Sequence, residues 1–202
     1  ARWLTQIGYG NPQWNISAAY QYAQEGGFKG YGTPSGEKNA YWTGTGYSTT
    51  SYDAVNSVAL RAWWQPKESG WMPSISTGWN YSSFSSNDDL TGAAGDASST
   101  SQSWFVGLNW KDAFMKGNLL GAAIAQSHFT TSLEGSEYPD DGNYSMELYY
   151  QFQVTDNIAV TPTIFYLSRP YGQLTGQSDK WGGEGAESFN IFGYLVKTTF
   201  RF

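Results

Sequence analysis

The sequence of 202 residues has no cysteine, one histidine and few charged side chains, which make up 14% of the chain. The missing thiols exclude a disulfide framework, a thiolate zinc site and a cysteine nucleophile. No run of about 18 uninterrupted apolar residues occurs, so a transmembrane helix is excluded. The net charge of −6 and the absence of a basic stripe argue against nucleic acid as a partner.

Aromatic residues are abundant instead, at 18% of the chain, together with 24 glycines and many Ser, Thr and Asn residues. This composition favours alternating strands over packed helices. The final segment, Phe189–Phe202, shows the pattern most clearly, because its apolar and polar side chains alternate. One row is Phe192, Tyr194, Val196, Thr198, Phe200 and Phe202, and the other is Gly193, Lys197, Thr199 and Arg201.

The same alternation predicts eight further strands along the chain. Their bounds are 2–9, Gln13–Ala23, Ala54–Gln65, Met72–Ser82, 102–111, Asn118–His128, Tyr144–Val154 and Ile158–Ser168. The segment Asn118–His128 is apolar on both faces and could also form a helix of about seven or eight residues. Pro162 lacks an amide hydrogen and suggests a local bulge in its strand.

The connections between these strands alternate strictly between short and long. The short ones are 10–12, 66–70, 112–117 and 155–157, and the long ones are 24–53, 83–101, 129–143 and 169–188. This alternation is typical of an antiparallel up-and-down transmembrane β-barrel, and strands of about ten residues suffice to cross the bilayer when tilted. Bacterial single-chain barrels have even strand numbers, so nine strands predict that residues 1–202 form the C-terminal part of a larger barrel.

A soluble aromatic-rich β-sandwich that binds glycans is the alternative prediction. Three tryptophans in or beside connections, Trp42, Trp71 and Trp181, could contact sugars there. Strand periodicity cannot choose between the two folds, because a sandwich alternates in the same way. The alternation of loop lengths and the terminal phenylalanine favour the barrel.

No catalytic motif is present, and no enzyme activity, cofactor or metal site is predicted. His128 is expected to be a surface residue at a strand end, without a partner for a serine-based site. The acids Glu134, Glu137, Asp140 and Asp141 lie close together but lack the fixed spacing of a calcium-binding loop.

The run QFQVTDNIAVTPTIFYLSRP at 151–170 and the closing KTTFRF resemble the carbohydrate-selective (OprB-type) porin family, in particular its cyanobacterial branch. The resemblance implies a barrel of about sixteen strands in a homotrimer in the outer membrane. For the cyanobacterial branch it also implies a cell-wall-binding module before the barrel, and passage of inorganic ions, iron among them, and small solutes. Phe200 and Phe202 resemble the signal that the barrel-insertion machinery reads.

If the apolar rows face lipid, the opposite rows line a water-filled pore. The predicted pore-lining residues are Arg61, Asn80, Asn109, Lys111, Glu147, Gln151, Gln153, Lys197, Thr199 and Arg201. Most of the 17 carboxylates lie in the long loops, so a basic lumen would stand below an acidic mouth. Arg61 and Lys197 are expected to contribute to ion selectivity. Alternatively, the loop acids only keep the surface soluble and bridge lipid headgroups through divalent ions.

Overall fold

The computed structural model describes residues 1–24, 42–43, 46–47, 54–68, 70–85, 98–133, 141–170, 172 and 189–201. Nine long strands form one sheet, and two short strands form a separate hairpin. The long strands are β1 Arg2–Asn11, β2 Trp14–Gln24, β5 Ala54–Trp64, β6 Ser74–Ser85, β7 Ser98–Lys111, β8 Leu119–Leu133, β9 Tyr144–Thr155, β10 Ile158–Ser168 and β11 Asn190–Phe200. The short strands are β3 Trp42–Thr43 and β4 Gly46–Tyr47.

Each long strand pairs antiparallel with the long strands before and after it, so the order in the sheet follows the order in the chain. This up-and-down arrangement confirms the predicted fold class and is consistent with part of a porin barrel. The sheet ends at β1 on one side and at β11 on the other. No helix in the described ranges is both long enough and apolar enough to cross a membrane.

The described residues lack the apolar core that a β-sandwich requires. Their buried hydrophobic residues are Ala23, Val55, Phe84 and Ala159. Two packed sheets would bury alternate side chains along every strand, whereas β1 is exposed at all ten of its residues. The alternative prediction of a soluble sandwich is therefore wrong for this part of the chain.

The paired residues cross the sheet on a diagonal. One row begins at Asn15, one residue from the short-turn end of β2, and ends at Gly193, three residues from the long-loop end of β11. Between them it passes through Trp63, Ser76, Gly107, Ala123, Glu147 and Phe165. This stagger between neighbouring strands is the shear that lets tilted strands close into a barrel.

Strands β7 and β8 are longer than predicted, because they continue into the expected loops 83–101 and 129–143. Their extra residues are mainly Ser and Thr, which give no apolar alternation. The Thr100 hydroxyl lies 2.8 Å from the Thr131 hydroxyl and 2.6 Å from the Ser132 hydroxyl. Such cross-strand hydroxyl pairs stabilise a ladder without a hydrophobic pattern.

Three local predictions have clear outcomes. The ambiguous segment Asn118–His128 lies mostly in β8 and is extended, so the helix alternative is wrong. The bulge expected at Pro162 is also wrong: pairing with β11 is continuous there, and the register shift toward β9 lies between Ile158 and Ala159. The long connection 24–53 contains the β3–β4 hairpin, whose strands are too short to show a sequence period.

The short turns are held by asparagine and aspartate side chains. The Asn11 carboxamide oxygen accepts hydrogen bonds from the amides of Gln13 at 2.8 Å and Trp14 at 3.1 Å. In the turn 112–117, the Asp112 carboxylate accepts a hydrogen bond from the Gly117 amide at 2.7 Å. These Asx contacts satisfy backbone amides that leave the ladder, and they fix the register of the hairpins.

Candidate pore wall

The strand pairing sorts the side chains of the sheet onto two faces, because directly paired residues point the same way. Leu60 pairs with Ala18 and Trp79, which places the apolar rows of β2, β5 and β6 on one face. Arg61 pairs with Ser17 and Gly78 on the opposite face. We call these the apolar face and the polar face.

The apolar face exposes large hydrophobic side chains along seven of the nine long strands, and those of β7 and β8 are partly exposed. Examples are Ile7 on β1 at 73%, Leu148 on β9 at 45% and Tyr194 on β11 at 80% exposed. A monomeric soluble protein rarely exposes a continuous apolar surface of this extent. The face therefore requires an apolar environment, and lipid supplies one.

Aromatic rings mark both ends of the apolar face. At the short-turn end Tyr9 and Trp14 meet edge to face at 5.7 Å, and Tyr150 and Phe152 do so at 4.5 Å. At the long-loop end Trp3 and Tyr20 meet at 5.6 Å. Along β9 eight residue steps separate Tyr144 from Phe152, which corresponds to about 20 Å of height for a strand tilted by about 40°. Two aromatic girdles around an apolar band are the pattern of a membrane-facing barrel surface.

Two tryptophans of the apolar face have their indole N–H groups satisfied by a side chain on the next strand. The Trp79 indole donates to the Gln102 carboxamide oxygen at 3.0 Å, and the Trp104 indole donates to that of Gln126 at 2.6 Å. A buried or lipid-exposed indole N–H without an acceptor would cost free energy. These bonds also satisfy the carboxamide oxygens of two glutamine side chains that lie on the apolar face.

All ten predicted pore-lining residues lie on the polar face, according to the pairing register and the alternation along each strand. Arg61 and Asn80 lie on neighbouring strands β5 and β6. A larger group lies toward the short-turn end of β7 to β11 and just beyond: Asn109, Lys111, Gln151, Gln153, Lys197, Thr199 and Arg201. Glu147 lies higher, paired with Ala123 and Phe165. The ten residues thus form two separate polar groups, with Glu147 apart from both, rather than one ring.

The charged side chains of the polar face are exposed, and Arg61 and Lys197 form no ion pair within the described ranges. Four of the five charged residues at the predicted positions are basic: Arg61, Lys111, Lys197 and Arg201. Unpaired cations along one wall produce a positive potential that attracts anions. Asn109 differs from them, since it accepts the Tyr149 hydroxyl at 2.5 Å.

His128 is buried, which makes the expectation of a surface histidine wrong. It is 6% exposed, and its Nε2 atom lies 2.6 Å from the Ser101 hydroxyl oxygen. The buried position arises because Gln102 pairs with Phe129 and Trp104 with Gln126, which inserts a residue into β8 beside His128. Serine and histidine at this distance have nucleophile–base geometry. Ser101 has no exposed surface, however, so no substrate can reach it in this structure.

The sequence prediction omitted the aromatic residues of the polar face. Phe105, Tyr149 and Phe165 each lie opposite a glycine on a neighbouring strand, namely Gly78, Gly121 and Gly193. A methyl group added to any of these glycines would fall onto the facing ring. Each ring therefore occupies the space above its glycine and lies along the wall. Cross-strand Gly–aromatic pairing is a known way to cover glycine in a sheet. In the sequence, the signal would be a glycine on one predicted strand and an aromatic residue at the facing position of the next strand.

The remaining predicted residues have different outcomes. Phe200 ends β11 on the apolar face and is 58% exposed, while Phe202 lies outside the described residues. Trp71 lies in a short connection, is 84% exposed, and its carbonyl accepts the Trp110 indole at 2.9 Å. Trp181, Glu134, Glu137 and Asp140, and the side chain of Trp42, also lie outside the described residues. The Asp141 carboxylate accepts the Thr130 amide at 2.8 Å.

Comparison with known proteins shows the family to which this chain belongs. A family model described as carbohydrate-selective porin, OprB family, matches residues 8–202. An uncharacterized protein of Nostoc sp. strain PCC 7120 is 28% identical over 123 residues, which is 60% of this chain. The match covers 19% of that relative, so the chain spans a small part of its length. Since the family model matches nearly the whole chain and the sheet has the two faces of a barrel wall, this protein belongs to the OprB family of carbohydrate-selective porins.

Proposed function

We propose that residues 1–202 form the C-terminal part of an outer-membrane porin barrel through which small hydrophilic solutes diffuse passively. The observation that carries this proposal is the two-faced sheet, with an apolar face between aromatic girdles and a polar face whose charged residues are exposed. Two of these, Arg61 and Lys197, form no ion pair with any described residue. The membership in a porin family supports it. The solutes include inorganic ions, iron among them, as well as small polar molecules.

The edges of the sheet support closure by further strands. Among the described residues, β1 and β11 each pair with a single long strand, so each has one row of backbone groups without a partner in this sheet. Unpaired amides and carbonyls are costly in a bilayer, and a membrane-spanning sheet must close to satisfy them. A barrel of about sixteen strands would close this sheet and leave a water-filled lumen.

The partners follow from the same proposal. Lipid covers the apolar face, the barrel-insertion machinery reads the terminal Phe200 and Phe202, and three copies assemble as a trimer. The setting is the outer membrane of a Gram-negative-type bacterium, and the similarity to a Nostoc protein supports a cyanobacterium. The ten predicted residues of the polar face line the pore, and Arg61 and Lys197 contribute to its selectivity.

The test is reconstitution of the full natural chain in a planar lipid bilayer. Stepwise increases in conductance at constant voltage are the expected result, because each inserted porin opens one water-filled path. A protein that remains soluble without detergent and produces no steps would overturn the proposal.

A further inference from the structure

A recess lies at mid-height on the polar face, over the centres of β2 and β5. Its floor consists of Ala19 and Ala59, which pair with each other and are the middle residues of their eleven-residue strands. Their methyl groups are shorter than the side chains around them, so they leave an open space of about 260 Å³. We call this space the β2–β5 recess.

Six polar side chains surround the alanine floor. Those on β1 and β6 pair directly with the two alanines, and those on β2 and β5 lie two residues away in either direction, on the same face. Together they supply one guanidinium, three carboxamides and two hydroxyl groups, and no acidic side chain among the described residues lines the recess. The six are Gln6 on β1, Ser17 and Gln21 on β2, Ser57 and Arg61 on β5, and Asn80 on β6.

Two of the six side chains are held within the wall. The Asn80 carboxamide donates to the Val58 carbonyl at 3.2 Å and accepts the Ser82 hydroxyl at 3.4 Å. The Ser57 hydroxyl lies 2.7 Å from that of Ser82. These contacts satisfy polar groups on the β6 side of the recess and fix its shape without a ligand.

The other four side chains offer donors to the open space. In the part of the chain that the structure describes, the side chains of Arg61, Gln6 and Ser17 form no hydrogen bond or ion pair. The carboxamide oxygen of Gln21 accepts the Arg2 guanidinium at 2.6 Å, which leaves the Gln21 amide nitrogen as a donor. A guanidinium carries five N–H donors and no acceptor, so the recess has an excess of donors.

The charge around the recess is positive. Glu147 is the only acidic residue in the nine described long strands, and it lies on β9, four strands from Arg61. Four strand spacings amount to about 19 Å along the sheet, whereas salt screens charges beyond about 8 Å. Arg2 adds a second cation on the same face. The recess therefore favours a small anion that carries several acceptor oxygens.

We propose that the β2–β5 recess binds a tetrahedral oxyanion such as inorganic phosphate as it passes through the pore, which rests on the proposed porin function. The Arg61 guanidinium donates two parallel hydrogen bonds to two oxygens of the ion. Gln6, Ser17 and Gln21 donate to the remaining oxygens. The recess is open to water and Arg61 is exposed, so binding is weak enough for the ion to leave again.

The test measures block of the chloride current by inorganic phosphate in planar bilayers that contain the full natural chain, at constant pH and ionic strength. Perchlorate is the matched ligand, because it is also tetrahedral but its oxygens accept hydrogen bonds poorly. Phosphate should lower the chloride current in a saturable way, and perchlorate should not. Equal effects of the two ions would overturn the proposal, while conductance steps in chloride alone would still establish the porin.

Substitutions of Arg61 distinguish a site from a general positive potential. R61K retains the charge but loses the planar fork, so the half-blocking concentration of phosphate should rise about fivefold, and in R61Q about tenfold or more. K197Q is the matched control, since it removes an exposed cation of the same face outside the recess. An unchanged value in R61K, or a rise in K197Q equal to that in R61Q, would contradict the proposal.

A substitution in the floor tests the recess without removing a donor. A59L fills the space above the floor and should raise the half-blocking concentration of phosphate about fivefold or more, because the ion can no longer approach Arg61 and Ser17 together. A123L is the matched control: Ala123 also lies on the polar face, paired with Gly107 and Glu147, outside the recess. Equal phosphate block in A59L and the natural chain would show that the ion does not occupy the recess.

Discussion

Asn157 holds the end of the terminal strand at Arg201 by two hydrogen bonds. The Asn157 carboxamide donates to the Arg201 carbonyl at 2.7 Å, and the Arg201 amide donates to the Asn157 carbonyl at 2.9 Å. Asn157 is the last residue of the Thr155-Asp156-Asn157 turn, which carries part of the family resemblance. The turn therefore joins β9 to β10 and also anchors β11.

Replacement of Asn157 by alanine should loosen this anchor. The variant N157A loses the carboxamide donor and leaves the Arg201 carbonyl without that bond, so the free energy of unfolding should fall by about 1 kcal/mol. Urea titration of the protein in lipid vesicles, followed by tryptophan fluorescence, measures the change. N190A is the matched control, since the bond from the Arg169 amide to Asn190 at the other end of β11 is longer, at 3.4 Å. An equal loss in both variants would contradict the special role of Asn157.

Arginine substitutions at Ala18 and Ala19 should distinguish the two faces. These neighbouring residues of β2 have the same side chain, but Ala18 pairs with Leu60 on the apolar face and Ala19 pairs with Ala59 on the polar face. A18R places a charge in the apolar band and should cost about 2–4 kcal/mol of stability in lipid. A19R should cost much less, because its charge remains in water. Urea titrations of both variants in vesicles give the comparison, and equal costs would refute the assignment of the faces.

A methyl group at Gly193 should disturb the Phe165 ring. The added methyl in G193A would overlap ring atoms, so the ring must leave its position above β11. The expected cost is about 1–3 kcal/mol, as for other overpacked sites. G8A is the matched control, because a methyl at Gly8 on the same face would meet Ser17 at an ordinary 3.5 Å. If G8A and G193A are equally stable on urea titration, the ring does not depend on the glycine.

Neutral replacements of Arg61 and Lys197 should change ion selectivity. R61Q/K197Q removes two exposed cations from the polar face, so the pore should become less favourable to anions. The ratio of anion to cation permeability, obtained from the reversal potential across a salt gradient, should fall by about twofold. K67Q removes an exposed cation from a short turn instead and should have little effect. A reversal potential that is unchanged in R61Q/K197Q would sink the selectivity hypothesis.

The sequence predicted the sheet because each long strand alternates between a lipid-compatible row and a polar row. In β9, the alternate residues from Tyr144 to Val154 are apolar, which predicts both the strand and its two faces. Paired residues of β8 and β10 lie on the same faces. Leu120 and Ile124, in a segment that is apolar on both faces, lie on the apolar face because they pair with Trp110 and Val106. Alternation with period two suffices for these strands since no second sheet packs on them within the described ranges.

The features that the sequence did not predict depend on contacts across strands. Neither the inserted residue that buries His128 nor the hydroxyl pairs of Thr100 produce a periodic signal. Alternation along β9 places Tyr149 in the polar row, but the position of its ring above Gly121 depends on the register between β8 and β9. Register is set by the whole hairpin and its turn, and no single strand contains it.

The described ranges have few buried apolar residues, and this affects which substitutions the sheet can accept during evolution. In a soluble domain, most substitutions inside the protein must preserve a tightly fitted interior. Here lipid takes the place of that interior, and most side chains of the polar face contact water rather than one another. Outside the Gly–aromatic pairs and buried contacts such as Ser57–Ser82 and Ser101–His128, the lining can therefore exchange one polar residue for another with little loss of stability, and a new solute preference can arise without a rebuilt fold.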